Sequence, residues 1–564
     1  MHILGISCFY HDSAASLVRD GKVIAATAEE RFTRKKHDNN FPYKSIDFCL
    51  DFAGLAINEL DAIVFYEKPI VKFERILSQH LDHFPKSYAS FFNTSASWLN
   101  QKLNIKKILK DELHYHGEVL FIPHHLSHAA SAYYLSPFSE ASIVTIDGVG
   151  EWATTTVGIG KKAEVSIQKE ICFPHSLGLL YSTLTTYLGF SANDAEYKVM
   201  GLAAYGDPKP FRKHFNKIIQ IKKDGSYCLN MEYFDFDWAE HMASSKMVEL
   251  FGYPAREPES KAYSYHENIA ASLQEKLEQV VFNLLDATYK EHQLPNLCLA
   301  GGVALNSVMN GKILSKTKFK ELFIPPDPSD AGGSMGAALY VWHQTQKKKT
   351  NPHFSPYLGP NFPSYQVEQI LKQHKLKYEF VEKKKLVKKM AKCIVDQKVI
   401  GWFQGRMEWG PRALGNRSIL ASAATEKMKD IINARVKHRE LFRPFAPVIL
   451  EKYVSTYFEA DKNVPISAKW MLMVYPFKKI GKKNVPAVYH VDGTGRLQTL
   501  SRTDNSLYYD LVLEHYRLTG VPIIINTSFN VRGEPIVCTP EDAINCFLKT
   551  DIDYLVIDQF LVSK

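Results

Sequence analysis

Short apolar runs separated by polar or glycine-containing turns dominate the first part of the chain. Five of them are clear, and they occupy residues 3–8, 14–18, 23–28, 141–146 and 153–159. Runs of this length bounded by turns are typical of buried strands. Asp20-Gly21 supplies a two-residue turn that favours a β-hairpin, and an acidic, glycine-containing turn at 147–151 joins the later pair. The repetition predicts a duplicated, sheet-based domain with phosphate-binding turns.

Helical periodicity replaces the strand pattern further along the chain. Apolar positions recur at helical spacing from Ile269 to Leu284, behind Ser264 and Glu267 at the spacing of a capping box. A short apolar strand at 296–300 then leads through a loop into a new helix, and the same succession follows residues 321–324. The pattern predicts an α/β arrangement.

Glycine-rich loops open both of these later helices. Loops of this kind bare backbone N–H groups toward an anion. We therefore expect phosphate or nucleotide binding at Gly301, Gly302, Asn306, Gly332 and Gly333. Neither loop carries a P-loop lysine motif or a dinucleotide fingerprint, which argues against those two folds.

A change of composition marks a domain boundary. Residues 344–363 are rich in Lys, Pro and Asn and lack periodicity, so we predict domains at 1–350 and 351–564. Predicted helices and strands also alternate in the second domain, which predicts an α/β fold. Its expected elements are helices at 386–396 and 507–518, strands at 399–403 and 521–525, and a last helix capped by Thr539.

Composition and charge limit the classes of protein. A chain of 564 residues with 45% hydrophobic and 23% charged positions is that of a folded, multidomain protein. Its net charge of +9 suits anionic small substrates and does not indicate a nucleic-acid partner. The eight cysteines form no C-x-x-C pair, no apolar run is long enough to span a bilayer, and the chain begins directly with a strand-like run. These features predict a cytoplasmic protein.

Two histidines are candidate metal ligands. His124 and His128 are four residues apart, so on a helix both imidazoles share one face. Either they are hydrogen-bonded near a helix start, or they join a carboxylate in a metal site. Asp330, at the mouth of a glycine-rich loop, could supply that carboxylate. Two histidines and one carboxylate suit iron(II), manganese or zinc.

His11 and Lys36 are further candidates near the amino terminus. His11 follows the first strand and could act as a base near neutral pH, or could be a turn histidine held by Asp12. Lys36 could be an active-site group or a solvated lysine.

Six cations within one short segment of the second domain are interleaved with apolar residues, prolines and glycines. This setting indicates that some of them point inward, where they need anionic partners, although a surface patch is the alternative. Arginine forks match phosphate and carboxylate groups. Arg496, Asn526 and Ser528 follow predicted strands and add polar donors. The six cations are Arg406, Arg412, Arg417, Lys437, Arg439 and Arg443.

These motifs closely resemble the O-carbamoyltransferases of the nodulation-protein U and tobramycin-carbamoyltransferase type. The resemblance runs nearly end to end. It includes residues 5–7, Ala28-Glu29-Glu30-Arg31-Phe32, the stretch 193–202, Pro123 to His128, residues 329–334, residues 410–418 and Asn526 to Asn530.

The resemblance implies an N-terminal domain of the actin/Hsp70 (ASKHA) fold and a C-terminal YrdC-like α/β domain. It implies that carbamoyl-adenylate forms from carbamoyl phosphate and ATP with Mg²⁺ in the second domain, and that the first domain transfers the carbamoyl group to a hydroxyl of a small molecule or glycan. Iron(II) or another divalent metal would be held by His124, His128 and Asp330. Catalytic roles would fall to His11, Lys36, Arg412, Lys437 and Arg443, with Arg496 and Ser528 at the donor site. A homodimer is possible.

Three other functions fit parts of the pattern. A tRNA-threonylcarbamoylating enzyme would favour a stronger basic stripe with stacking aromatic residues. A hydrogenase-maturation carbamoyltransferase would carry cysteine-rich zinc modules, and no C-x-x-C pair is present. A non-catalytic ATP-binding sensor would leave the cation cluster of the second domain unexplained.

Overall fold

The chain forms two compact units. The computed structural model describes residues 1–350, 354–440, 442–460 and 464–564. The first unit contains residues 1–26, 39–309 and, as far as they are described, 313–350; the second contains 27–38, 310–312 and the described residues from Phe354 onward. Within the described ranges, no helix is long and apolar enough to cross a membrane. All eight cysteines are free thiols.

One five-stranded sheet is built from the amino-terminal part of the chain. The strand order is β3-β2-β1-β4-β5; β1 is antiparallel to β2 and parallel to β4, and β4 is parallel to β5. Asp20 and Gly21 both have positive φ between β2 and β3, so the predicted hairpin turn is confirmed. The strands are β1 (His2–Ser7), β2 (Ala14–Arg19), β3 (Lys22–Ala28), β4 (Ala62–Phe65) and β5 (Glu118–Phe121).

A second sheet of the first unit repeats this plan. Its order is β12-β11-β6-β7-β8, with β6 antiparallel to β7 and parallel to β11. In both sheets the strand that comes first in sequence lies in the middle, with a hairpin on one side and two parallel strands on the other. The predicted duplication of the actin/Hsp70 type is therefore confirmed. The strands are β6 (Glu140–Ile146), β7 (Ala153–Lys161), β8 (Glu164–Cys172), β11 (Asn296–Ala300) and β12 (Glu321–Phe323), and β9 (Ile219–Ile221) and β10 (Tyr227–Leu229) form a separate pair.

Helices surround these sheets. Numbered along the chain after α1 (Glu30–Thr33), which belongs to the second unit, they are α2 (Tyr43–Ala53), α3 (Pro69–Asp82), α4 (Tyr88–Ser97), α5 (Ile105–Glu112), α6 (His124–Leu135), α7 (Leu177–Tyr187), α8 (Glu196–Leu202), α9 (Arg212–Ile218), α10 (Ser245–Phe251), α11 (Ser264–His292), α12 (Ser307–Lys316) and α13 (Asp330–Gln346). The capping prediction for α11 is wrong by one residue. Tyr263 is the N-cap, and its N–H donates to Nδ1 of His266 at 2.9 Å.

Helices α6 and α13 lie in very close contact. A Cβ added at Gly336 of α13 would stand 1.8 Å from the carbonyl oxygen of Ser127 in α6. A Cβ added at Gly5 of β1 would stand equally close to the carbonyl oxygen of Ser334 in α13. Only residues without a side chain permit this approach. The contact brings the first turns of both helices to one place in the first unit.

The second unit is built on a nine-stranded mixed sheet, which confirms its predicted α/β class. The strand order is β13-β21-β20-β14-β15-β19-β16-β18-β17. The strands are β13 (Tyr378–Phe380), β14 (Ile400–Phe403), β15 (Arg417–Ser422), β16 (Ala446–Leu450), β17 (Met473–Pro476), β18 (Thr494–Leu500), β19 (Ile523–Ser528), β20 (Tyr554–Ile557) and β21 (Phe560–Ser563).

Apolar faces of two helices cover this sheet. Leu386 and Met390 of α15 pack with Tyr508 of α19 against Trp402 and Leu420 of the sheet. Thr539 caps α20 as predicted, because its hydroxyl accepts the N–H of Asp542. The helices are α14 (Ser364–Gln373), α15 (Lys383–Val395), α16 (Lys427–Ile432), α17 (Val454–Tyr457), α18 (Lys479–Asn484), α19 (Ser506–Thr519) and α20 (Pro540–Lys549).

Candidate metal centre and candidate anion site

Two histidines and two aspartates meet at the first turns of α6 and α13. His124 begins α6, His128 lies one turn later, Asp330 begins α13, and Asp147 directly follows β6. One ligand atom from each of these four side chains lies within 4.8 Å of the other three, and all four residues are buried. The sequence-predicted trio of His124, His128 and Asp330 is thus brought together by the helix contact.

Short distances join these four side chains. Nε2 of His124 lies 2.9 Å from Oδ2 of Asp147 and 3.1 Å from Nε2 of His128. Oδ1 of Asp330 is 3.6 Å from both Nε2 atoms, and Oδ2 of Asp147 is 3.5 Å from Nε2 of His128. The donor atoms therefore converge on one point, as metal ligands do.

Asp147 was not predicted as a ligand. It is the first residue of the acidic, glycine-containing turn that the sequence did mark, so the signal was present but was assigned to phosphate binding. The N–H of Gly302 donates to Oδ1 of Asp147 at 2.8 Å, which leaves Oδ2 directed at the two histidines. Gly302 thus orients a carboxylate in this structure.

A second layer of acidic groups supports His124. Its backbone N–H donates to the carboxylate of Glu151 at 3.0 Å, at the start of α6. Its ring Nδ1 lies 3.6 Å from Oε2 of Glu67, and that oxygen accepts a hydrogen bond from the buried ammonium of Lys72 at 2.6 Å. Such outer partners fix the ring orientation of a ligating histidine.

Charge in the cluster is balanced by protons when no cation is present. Burial opposes a charged ring at His124, but the hydrogen bond to Asp147 and the nearby carboxylate of Glu67 outweigh it and raise its pKa to about 10. The same competition raises the pKa of His128 and, through hydrogen bonds from both histidines, holds the pKa of Asp147 well below its usual range.

The residues fit a divalent metal ion. Two imidazole nitrogens and two carboxylates are a donor set for iron(II), manganese or zinc. Oδ2 of Asp330 is buried and has no hydrogen-bond partner among the described residues, so it is available as a ligand. His125 is excluded, because its two ring nitrogens contact Thr145 Oγ1 and the carbonyl oxygen of Ala153. Burial holds the pKa of His125 at about 3, so this ring is neutral.

His11 lies between two hydrogen-bond acceptors, Asp12 and the carbonyl oxygen of Asn193. Its Nδ1 lies 2.7 Å from Oδ2 of Asp12, and its Nε2 donates to the carbonyl oxygen of Asn193. Burial opposes the charge, but the hydrogen bond to Asp12 prevails and raises the pKa of His11 to about 10. Lys36 lies in residues 27–38 and so belongs to the second unit, whereas His11 belongs to the first.

The glycine-rich loops have structural contacts of their own. Gly301 has a φ of +90° and lies against the carbonyl of Ile146. Asn306 caps α12 by accepting the N–H of Met309 at 3.0 Å, and its amide pairs with that of Gln274. Gly332 lies against the carbonyl of Asp327, and Gly333 against the ring of Tyr66. These contacts explain the residue types, and nucleotide binding by the loops stays a prediction.

The predicted anion-binding residues of the second unit lie toward the same end of four neighbouring strands of the nine-stranded sheet, β15, β19, β16 and β18. Ser418 at the start of β15 pairs with Ser528 at the end of β19, and Ala446 at the start of β16 pairs with Asn526. Strand β18 runs parallel to β16 with Val448 opposite Gln498, which sets Arg496 level with Ala446. Arg412 and Arg443 precede β15 and β16, so they enter at this same end.

Lys437 is buried within this group. Its ammonium donates to the carbonyl and side-chain oxygens of Asn530, at 2.9 and 2.7 Å, and to the carbonyl oxygen of Ser528 at 2.5 Å. Burial, with Arg439 and Arg443 close by, holds the pKa of Lys437 well below its usual range. An anion bound beside it would favour the charged form again.

Other residues of the cluster are also fixed. Arg443 lies 3.5 Å from Glu440, and Asn526 donates to the carbonyl of Ala413 at 3.1 Å and to Oε1 of Gln498 at 2.7 Å. Glu440 was not predicted, and a lone acid between basic residues gives little signal in a sequence.

Two of the six clustered cations have a different role from the one expected. Arg417 is fully buried, donates to the carbonyl oxygens of Gln404, Gly405, Asn416 and Pro360, and stacks on Phe403. Arg406 donates to the carbonyls of Leu358 and Gly359. The inference that inward-pointing arginines need anionic partners is wrong for Arg417, because several carbonyl oxygens solvate its guanidinium instead.

Known proteins resemble both halves of the chain. Residues 2–339 match the family model of the carbamoyltransferase N-terminus, and residues 391–564 match that of the carbamoyltransferase C-terminus. The uncharacterized protein sll1178 of Synechocystis sp. is 45% identical over 100% of this chain and 97% of its own length. Nodulation protein NolNO of Sinorhizobium fredii is 39% identical over 99% of this chain and 79% of its own length.

Solved structures are more distant. The activator of the 2-hydroxyisocaproyl-CoA dehydratase from Clostridium difficile, with bound ADPNP, is 12% identical with a TM-score of 0.32, covering 62% of this chain and 96% of that one. A likeness of this size carries no functional argument.

Proposed function

The chain belongs to the carbamoyltransferase family, and from this premise we propose that it is an ATP-dependent O-carbamoyltransferase with two half-reactions. In the first, carbamoyl phosphate, ATP and water give carbamoyl-adenylate, pyrophosphate and phosphate. In the second, an acceptor hydroxyl takes the carbamoyl group, and AMP and a proton leave. The acceptor is a small molecule or glycan and not a nucleic acid, and we place the reaction in the cytoplasm.

The observation that carries this proposal is the cation cluster at one end of four neighbouring strands of the second unit's sheet. Arg412 precedes β15, Lys437 and Arg443 lie between β15 and β16, Arg496 lies on β18, and Ser528 of β19 adds a hydroxyl. Burial lowers the pKa of Lys437, and the positive charges of Arg439 and Arg443 lower it further, so an anion bound beside Lys437 would favour its charged form. Activation brings the phosphates of ATP·Mg²⁺ and of carbamoyl phosphate together, and preorganised cations offset that charge. We assign the adenylation half to this cluster.

We assign the transfer half to the first unit. His124, His128 and Asp330, together with Asp147, would hold iron(II) or a similar divalent ion, which supplies Lewis acidity toward a phosphate oxygen of the adenylate. Glu67 and Gly302 orient His124 and Asp147 from outside the cluster. Both half-reactions need water excluded from the carbamoyl-adenylate, since it hydrolyses readily.

His11 orients the reacting groups in this proposal. Both of its ring nitrogens face acceptors, so in the charged form it donates hydrogen bonds. Action as the base for the acceptor hydroxyl requires loss of that proton and of the Asn193 contact. Lys36 would contribute a positive charge toward the donor.

Pyrophosphate release tests the adenylation half. We expect the wild-type protein to release pyrophosphate from ATP only when carbamoyl phosphate is present. Arg443→Ala should abolish this release, since a bound phosphate loses a charged partner worth roughly 2–4 kcal/mol. Arg435→Ala is the matched control, because Arg435 is 45% exposed and lies 3.8 Å from Asp553 rather than in the cation cluster. Release from ATP alone, or an unchanged rate in Arg443→Ala, would contradict the proposal.

A further inference from the structure

An amino-terminal segment lies within the second unit, beside the loop that presents Arg412. Residues 27–38, here called the 27–38 segment, are grouped with the second unit although most of that unit begins only at Phe354. The segment contains the single helical turn α1 and ends its helix at Arg34 in a left-handed conformation. Its side chains make contacts that a surface linker has no reason to make.

Arg31 reaches the loop at its start. It is 6% exposed, its Nη2 donates to the carbonyl oxygen of Gly410 at 3.0 Å, and its Nη1 lies 3.1 Å from Oε1 of Glu30. Gly410 has a φ of +98°, a conformation that suits glycine, so the carbonyl direction there is a specific feature of the loop. A buried guanidinium held from one side by Glu30 is a rigid anchor for that carbonyl.

The other side of the loop is held by Glu408. Its Oε1 accepts the backbone N–H groups of Leu414 at 2.7 Å, Asn416 at 2.7 Å and Arg417 at 3.0 Å. Phe32 of the 27–38 segment packs in a small apolar cluster with Met407, Ala413, Ile536 and Cys538. Arg412 is therefore bracketed by a fixed Gly410 carbonyl, a packed Ala413 and a fixed Leu414 N–H.

Arg34 ties the same segment to the rest of the unit. Its guanidinium donates to the carbonyl oxygens of Ile536 and Pro535, both at 2.7 Å, and lies 3.5 Å from Asp542. These contacts adjoin the apolar cluster that contains Ile536. The 27–38 segment is thus bound at two points: Arg31 holds the loop that contains Arg412, and Arg34 holds residues 535 and 536.

We propose that Arg31 is a positioning residue for the anion site of the second unit, acting through the Gly410 carbonyl to hold Arg412 where it meets a phosphate group. This rests on the proposed function only in assigning Arg412 to a phosphate. Without Arg31 the loop loses the anchor before Arg412 and keeps the Glu408 anchor after it. The loop then samples other conformations, and anion binding weakens while the fold persists.

The test is binding of inorganic pyrophosphate to the full-length protein by calorimetry, together with the KM for carbamoyl phosphate in the pyrophosphate-release assay. We expect Arg31→Ala to weaken pyrophosphate binding and to raise that KM by roughly tenfold each, with a smaller change in kcat, as for loss of one charged hydrogen bond. Arg31→Lys retains a charged donor, so its pyrophosphate affinity and its KM should lie between those of the wild-type protein and Arg31→Ala. Lys35→Ala, an exposed cation of the same segment, is the matched control and should behave as wild type.

The outcomes separate this inference from the proposed function. Wild-type affinity and KM in a folded Arg31→Ala protein overturn the inference; if that variant does not fold by circular dichroism, wild-type values in Arg31→Lys overturn it equally. Pyrophosphate binding that depends on Arg31, in a wild-type protein that releases no pyrophosphate from ATP, supports the inference and contradicts the proposed function. A wild-type protein that does not bind pyrophosphate overturns the inference, since no anion site is then present to be positioned.

Discussion

His128 gives the most direct test at the scale of single residues. Replacing His128 with Ala removes a nitrogen from a cluster of four donors and should lower metal affinity by at least about 100-fold, because the remaining groups cannot complete the geometry. Metal content after purification and competition with a chelator measure the effect. His241→Ala is the control, since His241 is 64% exposed and pairs with Asp235, away from the four donors. Full metal content in His128→Ala would exclude this site.

Asp147 should behave as a ligand in the same measurement. Asp147→Asn keeps the size of the side chain and one oxygen, but it removes the charge that offsets the cation. We expect metal affinity to fall by roughly tenfold or more. Unchanged affinity would mean that Asp147 only accepts the hydrogen bond from Gly302.

A buried histidine of the second unit predicts acid sensitivity. Burial lowers the pKa of His515 from 6.5 to about 4. Between these two pH values only the unfolded chain takes up the proton, so the free energy of unfolding falls as pH falls, by up to about 1.4 kcal/mol per pH unit. Above pH 6.5 this residue has no effect, and below about pH 4 the loss is complete. Urea unfolding at a series of pH values should show that the free energy of unfolding depends less on pH in His515→Gln than in the wild-type protein.

Residue types were predicted from the sequence more readily than residue partners. The spacing of His124 and His128 indicates a shared helix face, and that pairing follows from helix geometry alone. Asp147 follows a strand and not this helix, so nothing in local spacing connects it with them. Arg417 has the same surroundings in sequence as Arg412, yet carbonyl oxygens from three segments solvate it. Whether an inward-pointing arginine binds an anion or is solvated by carbonyl oxygens depends on its tertiary contacts.

At the scale of elements, the contact between α6 and α13 places the metal ligands. Gly336→Ala adds a Cβ that would stand 1.8 Å from the carbonyl oxygen of Ser127, so the helices must separate and carry Asp330 away from the histidines. We expect a loss of roughly 1–3 kcal/mol in the free energy of unfolding, as for overpacking, and lower metal affinity. Denaturant unfolding and metal content measure both effects.

Gly252→Ala separates backbone strain from packing. Gly252 ends α10 with a φ of +73°, and, apart from its neighbours in the chain, no described residue has an atom within 4 Å of the place that a Cβ would take there, so the substitution adds strain alone. The free energy of unfolding should fall by about 1 kcal/mol, and metal binding should stay intact. Equal loss of metal in Gly252→Ala and Gly336→Ala would show that general destabilisation, and not the contact between α6 and α13, controls metal binding.

Elements with strong local signals were predicted well, and those defined by distant contacts were not. The Asp20-Gly21 hairpin and the Thr539 cap depend on the conformations of a few adjacent residues. The cap of α11 was displaced because the ring of His266 replaces the expected glutamate as acceptor. The association of residues 27–38 with the second unit depends on contacts with residues hundreds of positions away, and no periodicity reports it.

At the scale of the whole molecule, the two units should carry separable half-reactions. His11→Asn changes a residue of the first unit and leaves every contact of the cation cluster in place, so carbamoyl-phosphate-dependent pyrophosphate release should remain within about twofold of wild type. Carbamoylated product should be lost in the same variant, because the ring that donates to Asn193 and pairs with Asp12 is no longer present. Arg443→Ala should lose both, since no donor forms. A coupled colorimetric assay for pyrophosphate and the mass shift of the carbamoylated product measure the two steps in one reaction mixture. Equal loss of both steps in a folded His11→Asn protein would contradict the division of labour, and the transfer residues would then have to be sought in the second unit, beginning with Lys36 in the 27–38 segment.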